Sequence, residues 1–352
     1  MAVTNRMTNS MLVNNFTGRL NVNMNKLSNI QFQLATNKKF AHMSDDPIAL
    51  IYSQEARYKL RVVSDYKLNV QAADKWMTQV ESAVMELNEI IKSAYETCID
   101  ASTDVKSGYD RGNIAAYIAQ LRDQSLQTLN MALGDRFVFG AFNTTGYTDT
   151  AATELTPPFY LKDVSANPGV DPPEMHLFFN NVDITLDDPQ KAASFYRTDA
   201  GMIALREDVI SLDLGIGISM NVTFNGMDIA AFTYRDGTTQ NNIYQLLDEF
   251  YQALSDPTNT AVDINDFISP LQDAQNHLLS RVAEIGGKSR RLEVLSVRYD
   301  TDTLNYTEML SNAEDADQAE VIMHYKMAEA TYKAALSTGS YIIQNTLMDF
   351  LR

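Results

Sequence analysis

Gly286-Gly287-Lys288-Ser289 ends in the Gly-Lys-Ser of a phosphate-binding loop, where backbone N–H groups cradle the phosphate and the Lys reaches it. That loop also needs a Gly at position 282 and a strand in front of it. Position 282 is Val, and the residues around it follow a helical apolar period, so a nucleotide site is rejected. Glu314, Asp315, Asp317 and Glu320 offer carboxylates, but they lack the Gly and the ligand spacing of a calcium loop and read as solvated helix acids. His42, His176, His277 and His324 lie far apart, without metal-ligand spacing and without a nucleophile beside them. Cys98 is the only Cys, which rules out an intrachain disulfide and a Cys-cluster metal centre. The expectation is a protein with no catalytic, cofactor-binding or metal site.

The elements that carry these residues are helical. Val63, Tyr66, Val70, Ala73, Met77, Val80, Val84, Leu87, Ile91, Ala94 and Cys98 alternate steps of three and four, with no Pro or Gly inside. Such a seam recurs about every 3.5 residues and makes a helix supercoil against a partner. At about 1.5 Å per residue it runs to roughly 50 Å, too long for the core of a compact domain. Ile268, Leu271, Leu278, Val282, Ile285, Leu292, Tyr299, Tyr306, Leu310 and Ala313 keep the same frame near the other end of the chain, with Gln275, Ser289, Ser296 and Thr303 as weaker positions. The expected fold is mainly α. The N- and C-terminal halves form a long antiparallel coiled-coil helical rod, and a β-rich domain is inserted between them.

Both ends carry further apolar stripes. Leu20, Met24, Leu27 and Leu34, with Val13, line one face of an Asn-rich segment that is marginal as a helix by itself. Val321, Tyr325, Ala328, Tyr332, Ala335, Gly339 and Ile342 start a new frame after a break near 314–320, and Phe350 lies at its end. Small and large residues alternate there, which lets another helix come close; Gly339 marks the tightest point. These stripes are the expected assembly interface, with packing on the chain's own N-terminal helix as the alternative. A matching break at 41–47 contains Ser44-Asp45-Asp46-Pro47. Ser44 or Asp45 suits a helix cap, Asp46 the first turn and Pro47 the first helical position.

The net charge is −17 over 352 residues, which argues against a nucleic-acid or anionic-membrane binder. Charge is uneven. Residues 1–44 hold Arg6, Arg19, Lys26, Lys38 and Lys39 and no acid, a leader of +5, which leaves −22 for the rest of the chain's −17. The N-terminus has no apolar run of a cleaved secretory signal, and no stretch reaches the roughly 18 apolar residues of a membrane span. Between the helical halves, Pro157, Pro158, Pro168, Pro172 and Pro173 exclude long helices. Met175–Phe179 and Val182–Leu186 read as strands. The alternation Ile216, Ile218, Met220, Val222, Phe224 followed by Asn225-Gly226 reads as a hairpin with a type I′ turn. This gives three parts: terminal helices 1–43 plus 315–352, a helical part 44–145 plus 240–314, and a β-rich insert 146–239.

Four stretches resemble the flagellin superfamily. They are Asn37-Lys38-Lys39 through Ser44-Asp45-Asp46-Pro47-Ile48-Ala49; Arg136-Phe137-Val138-Phe139-Gly140 with Pro158-Phe159; Arg281 to Leu292 with Glu284-Ile285-Gly286-Gly287; and Asp315 to Arg352. The resemblance covers roughly 1–145 and 240–352, with one departure, Ala141, where the family has Gly. It implies a non-enzymatic structural subunit of the bacterial flagellum, secreted without a cleaved signal and with its terminal helices in an inner tube. The implied partners are copies of itself, a neighbouring hook-associated protein, flagellin and a cytoplasmic export chaperone. Within the superfamily the ending Thr346-Leu347-Met348-Asp349-Phe350-Leu351-Arg352 resembles the junction subunits more than the filament subunit. The filament subunit is the alternative, and an intracellular coiled-coil adaptor or signalling rod the second.

Overall fold

A computed structural model describes residues 9–40, 42, 44–102, 108–141, 143–148, 155–165, 174–185, 210–235, 240–256 and 264–350. Helices dominate: α1 (Asn9–Thr36), α2 (Pro47–Ala101), α3 (Gly108–Leu129), α4 (Gly226–Ala230), α5 (Ile243–Ser255), α6 (Ile268–Glu314) and α7 (Gln318–Phe350). Short strands fill the middle of the chain. They form antiparallel pairs, among them β1 (Ala132–Leu133) with β2 (Arg136–Phe137) and β3 (Tyr147–Thr148) with β4 (Leu155–Thr156), plus one three-stranded meander of β5 (Phe159–Asp163), β6 (Met175–Phe179) and β7 (Val182–Asp183). Two compact units result, one of Met1–Ser64 with Asp300–Arg352, the other of Asp65–Tyr299.

In the larger unit the seam of α2 forms the core. Val70, Ala73, Met77, Val80, Val84, Leu87, Ile91, Ala94 and Cys98 are all essentially inaccessible to water. Each buried Val, Leu, Ile or Met among them contributes about 1.5–3 kcal/mol by leaving water. Tyr66 stacks on Tyr299 of α6 at 6.0 Å, and Cys98 Sγ reaches the Ile264 carbonyl at 3.4 Å, so α2 and the α6 segment run antiparallel. Burial pushes the Cys98 thiol up to about 12, which removes its nucleophilic form. α3 packs on α5. Ile243, Leu246, Leu247, Phe250 and Leu254 line the buried face of α5, as their spacing predicts, and Asn242 Oδ1 caps it by accepting from Gln245 N at 2.8 Å. Between the two helices Arg122 pairs with Asp248 and lies over the rings of Tyr244 and Tyr251. On α3 the buried apolar residues are Ala115, Ile118, Leu121 and Leu129, with Ser125 and Thr128 buried beside them, whereas Tyr117 is exposed.

The β segments share this core. Asn130 brackets Phe159, its amide donating to the carbonyl at 2.7 Å and its oxygen accepting from the N–H at 3.0 Å. Phe159 packs on Phe179 at 4.6 Å. The Asn180-Asn181 turn, both residues at positive φ, joins β6 to β7 at the position expected. Leu186 lies outside the described residues. Two local readings of the sequence need correction. The hairpin of the second β stretch turns at Ile216-Gly217 and pairs β8 (Ser211–Gly215) with β9 (Ile218–Asn221). Asn225-Gly226 is a helix start instead: Asn225 is extended (φ −70°, ψ 137°) and its side chain accepts from Met227 N. A type I′ turn needs both residues left-handed, and Gly226 N is already committed to the Phe139 carbonyl at 3.0 Å. The sequence also reads Arg136-Phe137-Val138-Phe139-Gly140 as one short strand; only Arg136–Phe137 is a strand, the second half of a tight hairpin with Ala132–Leu133, turned at Gly134 (φ +62°).

Two positions test this packing. A Cβ on Gly226 would lie 2.6 Å from the Phe159 ring and 2.8 Å from the Phe139 carbonyl. We expect Gly226→Ala to cost about 2 kcal/mol by overpacking, seen as a lower midpoint in urea. Ala141 is buried and left-handed (φ +56°), a conformation that burdens any side chain by about 1 kcal/mol. Ala141→Gly should therefore raise the same midpoint.

Candidate assembly interface

The smaller unit is built on two helix pairs and the break between them. α1 ends at Thr36, and Asn37 turns the chain in the left-handed region (φ 57°) that closes many helices. The break in α1–α2 lies against the break in α6–α7. Lys39 N donates to the Glu314 carbonyl at 2.7 Å, Ala316 N donates to the Asn37 carbonyl at 2.9 Å, and Gln318 Nε2 reaches Asn37 Oδ1 at 2.9 Å. Lys39 Nζ adds a bond to the Asn312 carbonyl at 2.6 Å. Each interruption thus satisfies the backbone groups that the other leaves open.

Side-chain charge completes this lock. Glu314 is 4% exposed, which corrects its reading as a solvated acid. Arg57 grips it with a fork, Nε to Oε1 and Nη2 to Oε2, both at 2.7 Å, and Lys38 Nζ lies 3.1 Å from Oε2 and 2.7 Å from Asp315. The fork, helped by Lys38 and opposed by burial, holds the Glu314 carboxyl down at about 2. The bond to Asp315 raises Lys38 in turn. Sequence reasoning missed Arg57 altogether. The available signal was that Glu314 directly follows the last seam residue, Ala313, at the point where the second break meets the basic pair Lys38-Lys39.

The caps are assigned by geometry. Asp46 Oδ1 accepts from Ile48 N and Ala49 N, so Asp46 caps α2, with Pro47 first in the helix as expected. Asp45 instead accepts from His42 N, and Ser44 lies in the turn before the cap. Asp317 caps α7 through Ala319 N at 2.8 Å.

α1 and α7 pack together. Val321, Tyr325, Ala328, Tyr332, Ala335 and Gly339 form the less exposed face of α7. Gly339 is needed where it stands, since a Cβ there would sit 2.3 Å from the ring of Phe16. The tight contact marked by this glycine is therefore made to the chain's own N-terminal helix. On α1 the half-buried residues Val13, Phe16, Leu20, Asn23, Leu27, Ile30 and Leu34 again follow steps of three and four, with Gln33 half-buried beside Leu34. Leu20, Leu27 and Leu34 are thus brought onto the pair, while Met24 faces water. The backbones of Ile342 and Phe350 continue α7; their side chains lie outside the described residues. The outer faces of the pair expose Met11, Val22, Met24 and Phe32 on α1 and Ile322, Met323, Met327 and Leu336 on α7.

The residues first considered for chemistry serve other ends. Gly286 to Ser289 lie within α6, where Lys288 sits 4.1 Å over the Phe224 ring and pairs with Glu284. His176 pairs with Asp183, and His277 meets the Asp228 carbonyl. Among the described residues no three His, Cys, Asp or Glu side chains are grouped to hold a metal, and no helix is long and apolar enough to cross a membrane.

Residues 7–135 match the family model of the bacterial flagellin N-terminal helical region. Over most of its length the chain is similar to one particular protein, flagellar hook-associated protein 3. It is 24% identical to that of Escherichia coli (strain K12) over 316 residues, covering 86% of this chain and 87% of the relative. The Salmonella typhimurium protein of the same name is 23% identical over 87% of each. Among solved structures, flagellar hook associated protein-3 of Legionella pneumophila superposes with a TM-score of 0.54 at 11% identity, over 74% of this chain and 98% of that one. The flagellar junction protein FlgL of the same organism gives 0.52 at 12%, over 76% and 100%. These two share the fold.

The Glu314 lock has a defined pH signature. A carboxyl depressed from 4.5 to about 2 stabilises the fold fully above pH 4.5 and loses that contribution as the pH falls through about 2. Glu314→Gln should cost about 2 kcal/mol at pH 7, since Arg57 and Lys38 remain partly solvated. Urea unfolding at pH 7 and near pH 2 checks this. The gap between parent and variant should be full at the first and largely closed at the second.

Proposed function

We propose that this chain is a structural subunit of the bacterial flagellum that forms the junction between hook and filament and assembles through its terminal helices. The observation that carries this reading is the match to flagellar hook-associated protein 3 along 86% of the chain, including both helical halves. The α1–α7 pair supports the assembly part. Its inner seam is satisfied within the chain, yet its outer faces expose a row of large apolar side chains. A protein that worked alone in water would have little use for them, whereas a subunit packed among copies of itself would cover them. On this reading residues 1–43 with 315–352 are the assembling segment. Residues 44–145 with 240–314 form the coiled-coil rod, and 146–239 is a β-rich insert. Partners are further copies, the neighbouring hook-associated protein, flagellin and an export chaperone. Its place is outside the cell, reached without a cleaved signal, and its role is mechanical rather than enzymatic.

Quantitative mass spectrometry of sheared flagella tests the reading. We expect the chain in the sheared fraction at a few per cent or less of the filament subunit. Abundance equal to the bulk of the filament would make it flagellin, and retention in the cytoplasm would make it an intracellular adaptor. Deleting residues 318–352 should leave cells with hooks but no attached filaments.

A further inference from the structure

Beside the Glu314 lock lies a cavity of about 360 Å³, lined by Phe40, His42, Gln54, Arg57 and Arg61 among others. Its cations are not equivalent. Arg57 is consumed by Glu314. Arg61 makes no ion pair among the described residues, and neither the imidazole of His42 nor the amide of Gln54 has a partner there. An arginine fork facing a cavity with nothing to grip is a receptor for a carboxylate or another planar oxyanion. Ile51 and Tyr58, 65% and 62% exposed, alternate with Gln54 and Arg61 along α2 in steps of three and four. One stripe therefore carries apolar, amide, aromatic and guanidinium groups in turn. Aromatic and Arg anchors next to a pocket are the composition of an interface centre rather than of a solvated helix face.

We propose that this cavity receives an Asp or Glu side chain from a second copy of the chain. Charge complementarity selects that occupant. The chain holds 45 Asp and Glu against 28 Lys and Arg, a net charge of −17, while the cavity is lined by Lys38, Arg57 and Arg61, so the acids of one copy supply the counter-charge that its neighbour's cavity needs. The volume has room for a side chain or two but not for a helix, which fits an acidic residue reaching in from a helix packed along the Ile51–Tyr58 stripe. This deepens the self-assembly reading above and rests on it.

Cells making the full-length Arg61→Glu and Arg61→Lys proteins test the site, with the 318–352 deletion in parallel. We expect Arg61→Glu to lower the number of attached filaments at least tenfold while the purified protein melts like the parent, because Arg61 pairs with nothing inside the chain. Arg61→Lys should retain attachment. Flagella carrying Arg61→Lys are then treated with a carbodiimide, which joins an amine to a carboxylate in contact with it, the water being taken up as urea. Mixed light and heavy isotope-labelled copies should yield an amide between position 61 of one copy and an Asp or Glu of another. A link within one copy, a link to a different protein, no link, or normal attachment with Arg61→Glu overturns the proposal. So does a lowered melting temperature of Arg61→Glu, which would make the residue structural. Saturable binding of inorganic phosphate to the purified parent, lost in Arg61→Glu, would make the cavity a free-anion site instead. If the 318–352 deletion still assembles, the terminal-helix reading itself fails. If only Arg61→Glu behaves like the parent, the cavity assignment alone is lost.

Discussion

The apolar stripe of α2 from Val70 to Cys98 cannot be left facing water, and in the larger unit it lies in the buried core. α6 supplies an antiparallel seam of its own, and in the larger unit the α3–α5 pair and the β segments close the remaining sides of the core. The β-rich middle of the chain is therefore more than a decoration. Phe159, pinned by Asn130, and Gly226, pressed against the Phe139 carbonyl, belong to the same buried mass as the helices.

The smaller unit meets a different constraint. Both of its chain breaks would leave helix-end backbone groups open, and each closes the other through Asn37, Lys39, Glu314 and Ala316. A buried carboxylate is costly unless it is fully paired. Arg57 and Lys38 pair it completely, so the network holds these segments in one register where an apolar contact would tolerate sliding.

The residues that resemble an active site, Gly286 to Ser289 and the acids around 314–320, turn out to be a helix surface, a lock and a cap. The informative features are instead contacts made within the chain and apolar faces it leaves exposed. They include the exposed apolar row on α1 and α7 and an arginine, Arg61, that makes no ion pair among the described residues.

The sequence by itself determined whatever rests on period and local chemistry. The α2 seam, the buried face of α5, Pro47 at the start of α2 and the breaks near 41–47 and 314–320 follow from residue spacing and capping, which need no knowledge of distant partners. Tertiary structure decided the rest. The face of α1 was ambiguous because Asn23 and Met24 are neighbours about 100° apart on the helix, and only contact with α7 places the polar residue at the seam and the apolar one in water. Asn225-Gly226 has the composition of a turn, but the Phe139 carbonyl that recruits Gly226 is 87 residues away. Glu314 looked solvated because its partner, Arg57, stands 257 residues earlier. Whether a charge is buried depends on what lies across from it, and a period along one helix carries no record of that.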